Sequence, residues 1–428
     1  MARRPAKVRK TKAENCTKVV KSEYRKITDL PPELLHMIFE YFKDERWTMK
    51  TCAATCAVLR EVTVEHLEYT SPHIHENLDH FMTFMRRHTK PPETVRELNL
   101  FTLALDESVM NEIKRLFPKV EILHLEDISC APPLPYHPPH LAPQPMQLER
   151  LVLESYHGGW SLCGMMHILS LLAPKSLVIN LVWDKKTKDL QMDKFDPSCL
   201  ASSPAVEELR VACSYTPDQP PLAELLDALS RTLSPGHLKS VNLTCDLEAD
   251  VRALDALLRR IGGSNVTSLH LHPHSRGSFS DRQTWSDPFD DWRLLDISAC
   301  TKLETLYLHI YVKRKENLKS GRAASYFAAG LLANYASPTL RKVTINLHDL
   351  ECPTTLGNRV VLKLQELDKV VTAARFPNLQ QFELVVGVTD ELRHKAHYHP
   401  DCCEAARRAL PGLHARGVLS IFVKLSVW

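Results

Sequence analysis

Glycine is scarce in this chain: 428 residues contain only 13, so tight turns that bring backbone N–H groups onto a phosphate have few places to form. No GxxxxGK[ST] loop occurs, no GxGxxG follows a strand pattern, and HExxH and GxSxG are missing, which removes the common signatures of nucleotide enzymes, zinc proteases and serine hydrolases. Long apolar runs are missing too. The best candidate, Met165 to Ala173, is far short of the ~18 residues a membrane span needs and contains His167. Twelve cysteines are scattered without one CxxC pair, which favours free thiols in a reducing compartment over a disulfide framework or a zinc knuckle.

Charge of one sign is lacking overall, since the formal net charge is +3, but it is unevenly placed. Residues 1–26 hold ten Lys or Arg against Glu14 and Glu23, a local +8 that leaves −5 for the remainder. The chain as a whole is therefore not expected to bind nucleic acid. The basic stretch has neither hydrophobic periodicity nor an apolar core, which predicts a disordered tail and no secretory signal. RRPAKVRKTK within it reads either as a solubilising tail or as a nuclear-import signal. The expected location is cytoplasmic, nuclear or both, with no membrane association. With 44% hydrophobic and 25% charged residues, the rest is ordinary globular composition, long enough for a large core.

What is present starts at ITDLPPELLHMIFEYF, residues 27–42. Pro31 holds Leu30 extended, and Pro32 suits a first helical position, where a missing N–H costs nothing. Glu33 then lies in the first turn and favours the helix dipole. Leu34, Leu35, Ile38, Phe39 and Phe42 follow at helical spacing, while Met37 and Tyr41 make the helix apolar on more than one side. Two more short helices are predicted, over Trp47–Thr55 and over Ala57 to about Leu67. Three such helices bury little surface. They form either a small cap or a module completed by a partner.

The line LPPELLHMIFEYF followed by TCAATCAVLREV resembles an F-box. Leu30, Pro31, Glu33, Ile38, Phe39 and Cys56 match that family's pattern, whereas Leu59 stands where the family usually has Trp.

The remainder repeats a hexad with apolar residues at positions one, four and six. It appears as VRELNL from Val95, VEILHL from Val120, LERLVL from Leu148, VEELRV from Val206, LKSVNL from Leu238, VTSLHL from Val266, LETLYL from Leu303, LRKVTI from Leu340 and LQQFEL from Leu379. Weaker copies begin at Ser176 and Val418, and starts lie roughly 25 to 39 residues apart, the range of solenoid repeats. Helical patterns fill the gaps: Asp106–Phe117, Leu162–Leu172, Leu222–Leu233, Ala249–Ile261, Arg322–Tyr335, Arg359–Ala374 and Cys402–Ala409. Strand-then-helix units of this kind imply a parallel sheet. The expected fold class is α/β: an N-terminal three-helix module over residues 27–70, then an irregular solenoid over 71–428 that resembles leucine-rich repeats, with helices outside and the sheet on the concave face. The family's Asn three residues past the final Leu is replaced by Leu103 and Ile128.

Strand alternation predicts that the open face carries His124, Glu126, Val152, Glu154, Arg210, Asn242, His270, His272, Tyr307, His309, Thr344, Asn346 and Glu383. Other candidates are weaker. The seven prolines of residues 131–145 suit a rigid insertion or a polyproline ligand. Residues 273–293 form a long polar connection containing Trp285 and Trp292. His270 with His272, and the run HKAHYHPDCC from His394, offer imidazoles and thiols without the remaining ligands of a standard metal set, so no metal or cofactor is assigned.

The F-box resemblance implies a substrate-receptor subunit of a Skp–cullin–F-box ubiquitin ligase rather than an enzyme. It implies a Skp-type adaptor, and through it a cullin, on Leu30, Pro31, Glu33, Leu34, Leu35, Ile38 and Phe39. The repeats would hold a protein substrate, with Arg210, His270, His272, Tyr307 and His309 as the expected contacts. The alternative is a leucine-rich-repeat scaffold without a ligase role. An enzyme using the His/Cys-rich C-terminal region is a further, weaker reading.

Overall fold

The computed structural model describes residues 26–42, 45–66, 71–75, 77–87, 93–130, 144–156, 162–182, 200, 202–214, 221–245, 248–273, 295–311, 328–348, 350, 352–358, 362–388 and 398–425. The basic tail, nearly all of the proline-rich stretch, the Trp285/Trp292 connection and His394 to His397 lie outside these residues. The chain divides into two compact units, Met1–Glu68 and Tyr69–Trp428.

In the first unit α1 (Pro32–Tyr41), α2 (Arg46–Thr55) and α3 (Ala57–His66) follow one another, with Pro32 at the first position of α1 as its fixed φ favours. Leu35, Phe39, Met49, Leu59 and Val62 form the unit's own small core, with Leu30, Phe42, Cys52 and Cys56 against it. A polar chain also ties α1 to α3: Glu40 Oε2 lies 3.1 Å from His66 Nδ1, and His66 Nε2 lies 2.9 Å from His36 Nδ1.

The second unit is an α/β solenoid. Its first elements are β1 (His73–His75), α4 (Leu78–Arg87), β2 (Glu97–Phe101), β3 (Ala104–Leu105), α5 (Glu107–Leu116), β4 (Ile122–Glu126), β5 (Ser129–Cys130), β6 (Met146–Ser155), α6 (Leu162–Ser170), β7 (Leu172–Val182) and β8 (Glu208–Ser214). Then come α7 (Pro221–Thr232), β9 (Ser240–Cys245), α8 (Glu248–Arg260), β10 (Ser268–Pro273), β11 (Thr305–Tyr311), β12 (Lys342–His348), α9 (Thr354–Gly357), α10 (Leu364–Val370), β13 (Gln381–Val388), α11 (Tyr398–Ala409), α12 (Pro411–Ala415) and β14 (Leu419–Leu425). Twelve of these strands form one sheet in chain order, β3 and β5 pairing separately, and every pairing is parallel. Among the described strands the order never reverses, so they form no switch-point crevice of the kind doubly wound sheets have.

All eleven hexads overlap strands. Their apolar positions are buried from Val95, Leu98 and Leu100 through to Leu379, Phe382 and Leu384, within one continuous core reaching from Ile74 to Leu413. Each such Leu contributes roughly 1.5–3 kcal/mol by burial. The second hexad position has a fixed backbone task. The carbonyls of Arg96, Glu121, Glu207, Lys239, Thr267, Glu304 and Arg341 each accept two consecutive N–H groups from the next hexad, as in Glu121 and Ile122 on Arg96. Its side chains pair at the surface, as in Lys239 with Glu207 at 2.8 Å, and Glu149 pairs with Lys175, just before the weaker copy at Ser176, at 2.6 Å.

Leu103 and Ile128 fill the core where the family pattern has Asn. Just before them Thr102 and Asp127 take φ of 51° and 48°, turning the chain out of β2 and β4 into the short β3 and β5. Among the described residues of the helix expected over 359–374, Leu364–Val370 is helical, starting after Lys363 at φ 44°. The twelfth strand, His73–His75, is too short to carry a hexad. Among the described residues no helix is long and apolar enough to cross a membrane.

Candidate functional site

In the first unit, α1 carries two apolar stripes. Leu35 and Phe39 face inward and are fully used by the unit's own core, so they are not available as contacts for another molecule. Leu34, Met37 and Tyr41, spaced i, i+3 and i+7, lie on the outside, with Met37 70% and Tyr41 85% exposed. Trp47 on α2 is 79% exposed and Val58 on α3 is also open. Pro31 and Glu33 are exposed, while Leu30 and Ile38 are half-buried. Periodicity puts Met37 and Tyr41 on a second side of α1 but cannot say that this side stays uncovered, and nothing in it singles out Trp47.

In the second unit, the sheet face turned away from the core carries two in-register rows. One runs Arg210, Asn242, His270, Tyr307, Thr344, Glu383 across β8 to β13. Two residues further along the strands, His309 stands beside Asn346. His270 stacks on Tyr307 with ring centroids 4.3 Å apart and planes at 9°, and His272 stacks on His309 at 3.7 Å and 13°. His348 extends the stack, with its Nε2 3.1 Å from His309 Nδ1 and Asn346 Nδ2 3.4 Å from the same nitrogen. His348 was missed because it lies three residues beyond its hexad. Arg210 does not join the stack. It is exposed and stands two strands away, where its charge still opposes protonation of His270.

Burial holds these rings neutral: His272 is pushed down to about 3 and His309 to about 4, both also by neighbouring imidazoles, while His270 is lowered by burial and by the Arg210 charge, and His348 by burial. Neutral stacked rings form an aromatic platform rather than a cationic patch. Beside it Lys342 Nζ lies 5.8 Å from the centre of the Tyr307 ring and 2.9 Å from Glu383 Oε1. Thr344 is buried and donates its hydroxyl to Glu383 Oε2 at 2.9 Å, and Val152 is buried as well, so neither offers the open contact that alternation assigns to it.

A different cluster lies further toward the N-terminus on the same rows. His124 and Glu126 of β4 and Glu154 of β6 each place a donor atom within 4.8 Å of the others. Burial raises the Glu154 carboxyl, but hydrogen bonds from Asn180 and Tyr156 and the nearby His124 outweigh it and hold it below its ordinary value. The thiols near the C-terminus have no such support. Burial pushes Cys402 up to about 12, away from a nucleophile's range, and Cys403 Sγ lies 3.7 Å from His399 Nδ1, one turn away on α11. No family model matches the chain, and a search of curated proteins finds no relative.

Proposed function

We propose that this chain is a substrate receptor of a Skp–cullin–F-box ubiquitin ligase, its first unit docking a Skp-type adaptor and its leucine-rich-repeat-like solenoid holding a protein substrate. The observation that carries the reading is the second apolar stripe of α1. A three-helix unit has spent Leu35 and Phe39 on its own core, yet leaves Leu34, Met37, Tyr41 and Trp47 open to water. A surface of that kind on so small a unit marks a partner site. The docking residues are then Pro31, Glu33, Leu34, Met37, Ile38 and Tyr41, with Leu30 positioning the entry to the helix.

Such a receptor performs no bond chemistry. It raises the local concentration of a bound substrate near a ubiquitin-loaded enzyme. The imidazole–tyrosine platform suits protein contacts, because rigid aromatic surface is gained at little entropic cost.

The experiment is co-purification of the full chain with a Skp-type adaptor, beside Leu34→Asp/Met37→Asp. Binding by the wild type that the folded double variant loses is the expected result. A folded wild-type chain that binds no Skp-type adaptor overturns it. That outcome favours a repeat scaffold without a ligase role, a reading supported by Leu59, which fills the unit's core where the F-box pattern has Trp.

A further inference from the structure

We propose that His124, Glu126 and Glu154 form a binding site for one divalent cation of the Zn²⁺ and Mn²⁺ class, on the sheet face away from the core. The inference does not depend on the receptor reading.

Three observations lead there. First, Glu126 and Glu154 are register partners on β4 and β6, so two carboxylates stand directly opposite on one face. Like charges in that relation destabilise a sheet unless a positive charge lies between them. Second, the tautomer of His124 is set by its neighbour. Asn99 is buried, and its Nδ2 donates to Ser71 Oγ at 3.0 Å and to Glu97 Oε1 at 3.3 Å. Its Oδ1 therefore faces His124 Nδ1, 3.2 Å away, and Nδ1 must be the donor. In the neutral ring the lone pair is then on Nε2. That atom is shielded from water and has no hydrogen-bond partner among the described residues, although it lies 3.2 Å from Glu154 Oε2. A lone pair set against a carboxylate oxygen calls for a positive charge between them, either a proton on Nε2, which would also lower the Glu154 carboxyl, or a metal ion, and the second carboxylate opposite, Glu126, favours the metal.

Third, the spacing and the outer shell suit a metal. Two ligands at about 2.0–2.2 Å from a tetrahedral Zn²⁺ stand about 3.3–3.6 Å apart, so Nε2 and Oε2, 3.2 Å apart, need move only slightly to share an ion. A ligating imidazole characteristically donates its other N–H to a carbonyl or carboxylate oxygen, as His124 does to Asn99. Glu154 is oriented in turn: Oε1 accepts from Asn180 Nδ2 at 2.7 Å and Oε2 from the Tyr156 hydroxyl at 3.0 Å. Asp127 holds Tyr156 in place by accepting its backbone N–H at 2.8 Å. One imidazole with two carboxylates is too nitrogen-rich for Ca²⁺ or Mg²⁺ and suits Zn²⁺ or Mn²⁺, with water completing the shell.

The test is Mn²⁺ binding to the full chain by electron paramagnetic resonance, with Zn²⁺ as competitor and Mg²⁺ as control. Manganese is the primary probe because 21 histidines and twelve cysteines offer adventitious zinc sites. The wild type should hold one Mn²⁺ that Zn²⁺ displaces and Mg²⁺ does not. Glu126→Gln should weaken it by about tenfold or more, and His124→Asn should abolish it. Glu126→Gln decides the matter if His124→Asn fails to fold. No bound Mn²⁺ in the wild type, or equal binding by wild type and a folded Glu126→Gln, overturns the proposal.

Discussion

His272 and His309, on neighbouring parallel strands, lie face to face with ring centroids 3.7 Å apart and are both held neutral, at about 3 and about 4 against an ordinary value of 6.5. Such a pair is stable only while uncharged, because two imidazolium rings at that distance would repel each other in a partly dry setting.

Stability should therefore depend on pH below 6.5. In the unfolded chain both rings take up protons as pH falls through 6.5, whereas in the folded chain they do not until about 4 and 3. The unfolded state binds more protons in that window, so stability present above 6.5 is lost as pH drops. Each ring contributes at most about 1.4 kcal/mol per pH unit, and less where the ring keeps contact with water. Denaturant unfolding between pH 6.5 and about 5, above most carboxylate titration, should show a shallower slope for His272→Asn/His309→Asn than for the wild type. Equal slopes would refute the neutral stack.

The solenoid was legible because its hexads repeat the same burial pattern, with Leu269 and Leu271 occupying the positions of Leu306 and Leu308. Alternation then correctly put His270, Tyr307, His272 and His309 on one face. It could not show that Thr344 turns in to Glu383, since that depends on a side-chain hydrogen bond across strands. The cation cluster was less visible. Alternation puts His124, Glu126 and Glu154 on the right face, but Glu154 follows a different hexad, and only strand register brings it opposite Glu126.

The two stripes of α1 separate stability from binding. Leu35→Ala removes a side chain only 1% exposed from a small core, so it should cost about 2–5 kcal/mol and loosen the first unit. Leu34→Asp alters an exposed position and should leave melting unchanged within about 0.5 kcal/mol. Circular dichroism melts of the two variants give the comparison; similar losses for both would mean the stripes are misassigned.

Arg375 closes the turn that follows the helical residues 328–333. Its Nη2 donates to the carbonyls of Leu332 and Tyr335, each at 2.9 Å, and to that of Ala333. All three bonds come from Nη2 at the far end of the guanidinium, beyond the reach of a lysine Nζ on its four-carbon stem. Arg375→Lys should therefore destabilise the solenoid by about 1–3 kcal/mol, as carbonyls lose their donor. Urea unfolding of the full chain measures it, and an unchanged midpoint would show that water replaces the guanidinium without cost.

The stacked pair His270 and Tyr307 is the part of the platform with charged neighbours. It is flanked by Lys342 above the Tyr307 ring and by Arg210 two strands away. A rigid ring pair beside a cation favours a partner that brings an aromatic or acidic side chain. Truncating a central aromatic anchor costs about 2 kcal/mol, roughly thirty-fold in affinity. A photo-reactive group placed at Asn242, between Arg210 and His270 in the same row, should crosslink the substrate in the wild type. The crosslink should fall away in His270→Ala/Tyr307→Ala and persist in Leu34→Asp, which touches only the first unit. Persistence in the first variant would move the substrate off this platform. Loss in both would mean that substrate capture needs the adaptor surface, and the division of labour between the two units would have to be redrawn.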